Sequence, residues 1–192
     1  MYKLPPQVLI LLIFTVTVNA QNLVPNPSFE NYSFCPNAPS EIYLLDNWTN
    51  PANTTPDFFN SCYVGPPFPG QGVPNNGIGY QPARTGEGYV GMVVHGTGST
   101  VREYLQVLLP QPLIAGECYY VEMHISSGYY NSNLEGVSNV GVYLSENPPT
   151  VSSLAIIYAT PQVYYTEVVS DSVNWVPLIG SFIANGGEQY LT

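Results

Sequence analysis

Basic side chains are almost missing from this chain: 192 residues carry three Lys+Arg against 13 Asp+Glu, and only 8% of residues are charged. That scarcity excludes several classes of protein. A nucleic-acid surface grips phosphates with Lys and Arg, and a polybasic membrane surface needs clustered cations. Helical bundles and coiled coils lean on Ala, Glu, Lys, Leu and Arg, and two of those five are nearly gone. Long apolar runs are scarce as well. The one unbroken stretch, residues 8–18 (VLILLIFTVTV), falls short of the ~20 residues that span a bilayer, and no second one follows. What is present argues against disorder: 45% hydrophobic and 13% aromatic residues, with 16 Tyr, 17 Gly and 19 Pro. An acidic, Tyr-rich, turn-rich chain of this length reads as one all-β domain with enough residues to bury a core.

The short apolar run follows the only lysine, Lys3, and ends at Val18-Asn19-Ala20, which supplies short residues at −3 and −1 before Gln21. That is the tripartite pattern of a secretory signal peptide over residues 1–20. No Cys stands at the cleavage point, so no lipoprotein anchor is expected, and residues 21–192 are expected to be exported with no transmembrane segment. Cleavage would remove Lys3 and leave two arginines, Arg84 and Arg102, against the 13 acids, a formal charge of −11. A surface hydrated by Asn, Ser, Thr, Gln and Tyr suits neutral polyhydroxyl ligands, held by aromatic faces and amides rather than by charge.

Three cysteines in an exported chain invite pairing. Cys35 and Cys62 both lie in turn-rich text, SFCPNAPS and FFNSCYVGPP, and a bridge between them would stabilise the fold by roughly 3.5 kcal/mol on chain-entropy grounds. Cys118 falls inside a strand-like run and reads as a packed free thiol. A three-cysteine zinc site lacks the close ligand spacing.

Residues 21–30 read as a short terminal or edge strand, because of Pro25 and Pro27. Residues 31–76 read as a long polar, Pro-rich stretch anchored by Trp48. From there the text becomes strand-like, at 88–95, 101–109, 117–126, 139–145, 162–169 and 175–184, each bounded by Gly, Pro, Asn or Ser. No stretch of helical period is found, and the expected architecture is a single antiparallel β-sandwich.

Alternation assigns faces. In 117–126, Tyr119, Val121, Met123 and Ile125 oppose Tyr120, Glu122, His124 and Ser126. In 101–109, Leu105, Val107 and Leu109 oppose Arg102, Tyr104 and Gln106. In 139–145, Val140, Val142 and Leu144 oppose Asn139, Gly141, Tyr143 and Ser145. If the three strands share a sheet, the apolar sets form the core. The other sets then form a continuous surface with the composition of a sugar-binding groove: Tyr104, Tyr120 and Tyr143 to stack on sugar rings, Arg102, Gln106, Glu122 and His124 to bond hydroxyls. The same alternation describes an ordinary solvated sheet face, and more simply, because Tyr is common on strands.

Several segments carry a family resemblance. NLVPNPSFE, TGEGYVGM, YLQVLLPQPLIAGECYYVEMHIS and NWVPLIGSFIANGGEQYLT resemble the carbohydrate-binding modules of the galactose-binding-like jelly roll. The intervening SFCPN, TPDFFNSC and VPNNGIGYQPARTGEGYVG resemble the N-terminal region of exported Bacteroidetes cell-surface proteins. There such a module often precedes outer-membrane-protein-A-like or gliding-motility-associated segments. The resemblance covers nearly all of residues 21–192. It implies a jelly-roll sandwich, secreted or at the outer membrane, that contacts a polysaccharide or glycoconjugate. The alternative it allows is a structural module that contacts other envelope proteins. It also implies a possible structural Ca²⁺ between first and last strands, here at Glu30 with Asp171 or Glu188, although one or two carboxylates are few for calcium. The text stops at Thr192 inside what reads as a final strand, so the expectation is a C-terminally incomplete domain.

Enzymatic signals are thin. His95 and His124 have no G-x-S-x-G or H-E-x-x-H around them, and the Gly96–Thr100 loop lacks a phosphate-binding Lys. Glu103 and Glu122, the nearest thing to a glycosidase pair, fall on opposite strand faces. The expectation is no enzyme and no catalytic residue; a secreted hydrolase is the remaining alternative.

Overall fold

Strand-forming runs here are cut every few residues by Gly, Pro or Asn, and such residues end ladders or confine them to short edges. The computed structural model describes residues 21–67, 70–94, 102–130, 133–134, 136–151 and 156–192; the expected leader, His95 and the 96–100 loop lie outside that set. The helical content among these residues is one 3-10 turn, Ile42–Leu44. No helix among them is long and apolar enough to cross a membrane.

The strands are β1 (Trp48–Thr49), β2 (Asp57–Asn60), β3 (Asn75–Asn76), β4 (Gly79–Tyr80), β5 (Gly88–Gly91), β6 (Gln106–Leu108) and β7 (Cys118–Ile125). They continue as β8 (Tyr129–Tyr130), β9 (Asn133–Leu134), β10 (Val140–Val142), β11 (Leu144–Ser145), β12 (Val163–Tyr165), β13 (Val176–Ile183) and β14 (Tyr190–Leu191). All pairings are antiparallel: a four-stranded sheet in the order β1-β6-β14-β11, and the pairs β10–β12, β13–β7, β2–β5, β3–β4 and β8–β9. The chain is all-β.

The two longest strands show why their residues pair. Their register runs from Val176↔Ile125 to Ile183↔Cys118, which sets Leu178 opposite Met123 and Phe182 opposite Tyr119. The rings of that last pair stack at 6.0 Å, a cross-strand contact of the kind that stabilises a ladder. The inward residues Tyr119, Val121, Met123 and Ile125 pack with Leu178, Val142, Leu144 and Val163 into one apolar cluster. A second cluster gathers Ile42, Leu44, Leu45, Trp48, Phe58 and Val107, and Val24 and Leu191 pack against both. β12 lies beside β13, because a Cβ on Gly180 would meet the Val163 side chain at 2.5 Å.

Three sequence expectations change. Residues 21–30 form turns rather than a strand, with Asn26 at φ 49° and Phe29 at φ 63°. The reason is Asn26, whose Nδ2 donates to the carbonyls of Asn31 (2.8 Å) and Asp46 (3.0 Å) while its own carbonyl accepts Trp48 Nε1 (2.8 Å). The 31–76 stretch contains β2, with Phe58 wholly buried and the strand paired with β5. Cys118 is free, as expected, but exposed rather than packed: it opens β7 on the face opposite Tyr119. The Cys35–Cys62 disulfide is present and closes 27 residues of sequence, with Cα atoms 5.9 Å apart.

Candidate functional site

The outward face of β7 places Tyr120, Glu122 and His124 in one row, as alternation demands. Glu122 is the hub. Tyr120 Oη donates to Glu122 Oε2 (3.1 Å), and Glu122 Oε1 lies 3.5 Å from His124 Nε2 and 3.9 Å from an Arg84 guanidinium nitrogen. Arg84 comes from a loop pinned to this sheet at two points. Trp175 Nε1 donates to Pro82 O (2.9 Å), and the Gln81 amide lies 2.9 Å from Ser126 Oγ. Trp175 is itself braced edge-on against Tyr89, whose ring centroid is 5.5 Å away.

The cluster shifts its members in opposite directions. Partial desolvation, and after it the hydrogen bond and charge of Glu122, raise the Tyr120 phenol. Desolvation first and the Arg84 charge second lower the His124 imidazole, against the pull of Glu122. The row therefore presents a neutral phenol, a neutral imidazole at neutral pH and one ion pair. Tyr120 is 63% exposed, and on β13 its register partner Ser181 and the neighbouring Ile179 are exposed beside it.

The other expected groove residues go elsewhere. β6 and β11 belong to the four-stranded sheet while β7 pairs with β13, so the shared sheet on which a continuous surface depended does not form. Gln106 is buried and donates from Nε2 to Thr192 Oγ1 (3.0 Å). Tyr104 Oη accepts the peptide N–H of Ile157 (3.2 Å), and Arg102, on the same run into β6, is half-buried. Tyr143 sits between β10 and β11, exchanges both backbone hydrogen bonds with Thr192 (2.8 Å each) and lines an open cleft. Tyr120, Glu122 and His124 thus come together, and Arg84 joins them unforeseen.

The three carboxylates expected for calcium, Glu30 with Asp171 or Glu188, are each engaged by N–H groups of the protein itself. Glu30 Oε1 accepts the N–H groups of Glu87 (2.9 Å) and Gly88 (3.2 Å), over a Gly86 at φ +64° where a Cβ would run into the carboxylate. Asp171 Oδ1 accepts Val173 N and Asn174 N at 2.8 Å each, and Oδ2 accepts Asn174 Nδ2 at 2.9 Å. The bonds from Asn174, and after them that from Val173, hold the Asp171 carboxyl below the usual range. Glu188 likewise accepts Asn185 N and Gly186 N at 2.8 Å each. These carboxylates bond the protein's own N–H groups, and no grouping of three His, Cys, Asp or Glu that could hold a metal is found among the described residues. Glu103 is buried and accepts Thr55 N (2.9 Å), Thr55 Oγ1 (2.8 Å) and Val93 N (2.7 Å). Its role is to tie β-strand approaches together rather than to face Glu122.

No protein-family model matches this chain, no curated protein matches it, and no solved structure matches it.

Proposed function

We propose that the protein is an exported, non-catalytic β-sandwich module of the carbohydrate-binding-module type, which contacts glycans at a cell surface through the outward face of β7. One observation carries the reading: an exposed Tyr120 ring, hydrogen-bonded to Glu122, in a row where Glu122 also lies beside the His124 imidazole and the Arg84 guanidinium. A tyrosine face covers the C–H side of a sugar ring, and carboxylate, imidazole and guanidinium exchange hydrogen bonds with its hydroxyls. The apolar cluster to which β7, β10, β12, β13 and Leu144 contribute is what a sandwich interior would require. The test is retention on an array of neutral polysaccharides. Wild-type protein is retained, and Tyr120→Ala abolishes retention while the melting curve stays within about a degree, since an exposed side chain contributes little to stability. Failure of the wild type to bind any polysaccharide ends this reading.

A second reading, a structural or assembly module of a larger envelope protein, is favoured by one feature of the same face. Ile179 and Ile183 are exposed on β13 next to Tyr120, and apolar residues grouped on a surface serve protein contacts. Ile179→Ser together with Ile183→Ser would then abolish partner assembly and leave the array unchanged.

A further inference from the structure

Where the chain crosses from β10 to β11, a cleft of about 490 Å³ opens between the 146–150 loop and the turn that precedes β14. Its volume falls within the range of small-ligand sites, and its walls are held by the protein's own hydrogen bonds. Leu144 N donates to Gln162 Oε1 (2.9 Å), and Gln162 Nε2 returns a bond to Leu144 O (2.8 Å). Ser145 Oγ donates to Asn147 O (2.7 Å) and bends the loop. Across the cleft, the buried Glu188 carboxylate closes the Asn185–Gly186 turn with one peptide N–H on each oxygen. Gly187, at φ +95°, has no Cβ, and the Glu146 side chain lies over the space that leaves: a Cβ there would stand 3.2 Å from Glu146 Cγ and Oε1.

Inside this frame some side chains are spent and others are not. Gln162 and Glu188 are spent. Glu146, Asn147, Thr150 and Asn185 line the cleft and have no side-chain hydrogen bond within the protein among the described residues. Tyr143, Pro148 and Pro149 supply the apolar part of the lining, and among the described residues no Lys or Arg lines it.

We propose that this cleft is a second binding site, separate from the β7 face, for a neutral polyhydroxyl ligand of one or two sugar rings. Glu146 accepts a pair of adjacent hydroxyls, as a carboxylate can from two donors. Asn147 and Asn185 each donate and accept through their amides, Thr150 adds a hydroxyl, and the Tyr143 and proline rings cover the C–H edges. An anion is disfavoured because the lining has no cation and the chain carries a formal charge of −10. An ammonium ligand is disfavoured because the second carboxylate, Glu188, already holds a peptide N–H on each oxygen. That leaves one free acid among uncharged amides and a hydroxyl.

The test is titration of ¹⁵N-labelled protein with glucose, galactose, maltose and cellobiose, and separately with butylammonium chloride. At least one saccharide should shift the amides of Glu146, Asn147 and Asn185 saturably, with a dissociation constant on the order of millimolar. Glu146→Ala and Asn147→Ala, both at exposed positions, should each weaken it about tenfold, and Tyr120→Ala should leave it unchanged. That last arm separates this site from the β7 face, since either can fail while the other stands. Absence of saturable shifts from all four sugars at about 100 mM, unchanged binding in both cleft variants, or response to butylammonium alone each overturns the proposal.

Discussion

A chain with three basic residues must satisfy 13 carboxylates by other means, and the residues show which. Glu30, Glu41, Asp57, Glu103, Asp171 and Glu188 accept peptide N–H groups. Glu41, Glu122 and Glu167 accept the phenols of Tyr43, Tyr120 and Tyr165, each two residues away. The most consequential is Glu103, because it is buried and takes three bonds. Glu103→Ala strands the N–H groups of Thr55 and Val93, and a lost buried partner costs about 1–3 kcal/mol per group. Urea unfolding should show a loss of about 3 kcal/mol. Its removal also takes away the lesser of the two influences that raise the Asp57 carboxyl, burial being the larger, so Asp57 should titrate closer to its ordinary value. His124 gives a second residue-scale prediction. Its folded imidazole takes up a proton at lower pH than an unfolded one. As pH falls below the ordinary histidine value the unfolded chain binds the proton first, and folding weakens across that interval until the folded imidazole follows. By NMR titration, Arg84→Gln should move the His124 midpoint up and Glu122→Gln should move it further down. An unmoved midpoint in both variants would show that the row is not electrically connected.

At the scale of elements, β12 and β13 approach at the one place where β13 has no side chain. A Cβ on Gly180 would lie 2.5 Å from Val163 Cγ1 and 3.1 Å from Cγ2, and Val163 is a buried core residue. Gly180→Ala should therefore cost about 1–3 kcal/mol by overpacking, measured as a shift of the denaturation midpoint. Combining it with Val163→Ala should recover part of the loss, since the two side chains compete for one space. Additive losses would place the strain elsewhere. The elements also show what could be read beforehand. β7 was legible because its residues alternate with period two between turn-forming neighbours, and β13 because an apolar run is bounded by Asn and Gly. β2 was not, because Phe58, Phe59 and Asn60 are all buried and so show no alternation. The 21–30 segment misled through propensity: Asn26 trades ladder bonds for side-chain bonds to Asn31 and Asp46.

Over the whole molecule, alternation gave the faces of strands but not their neighbours. That is why Tyr120, Glu122 and His124 were found on one row, while Tyr104, Gln106 and Tyr143 went to another sheet region. Arg84 could not be foreseen in that row, because a loop docked through Trp175 and Pro82 delivers it. The charge balance, by contrast, was legible from composition alone and leads to a prediction about any partner. Carboxylates already satisfied by peptide N–H groups and phenols have little to gain from a cationic partner. The β7 row holds one long ion pair between Arg84 and Glu122, at 3.9 Å, half open to solvent, and such pairs contribute little in water. Retention of a neutral polysaccharide should then be the same within about twofold between 0.05 and 0.5 M NaCl, over which the screening length falls severalfold toward molecular contact distance. A basic protein partner would be lost over the same range, because its attraction to an acidic surface is Coulombic and long-ranged. Tenfold weaker retention at the higher salt would count against the neutral ligand and in favour of a charged partner. Salt-independent retention that vanishes in Tyr120→Ala would leave ring stacking and hydroxyl bonding as its source.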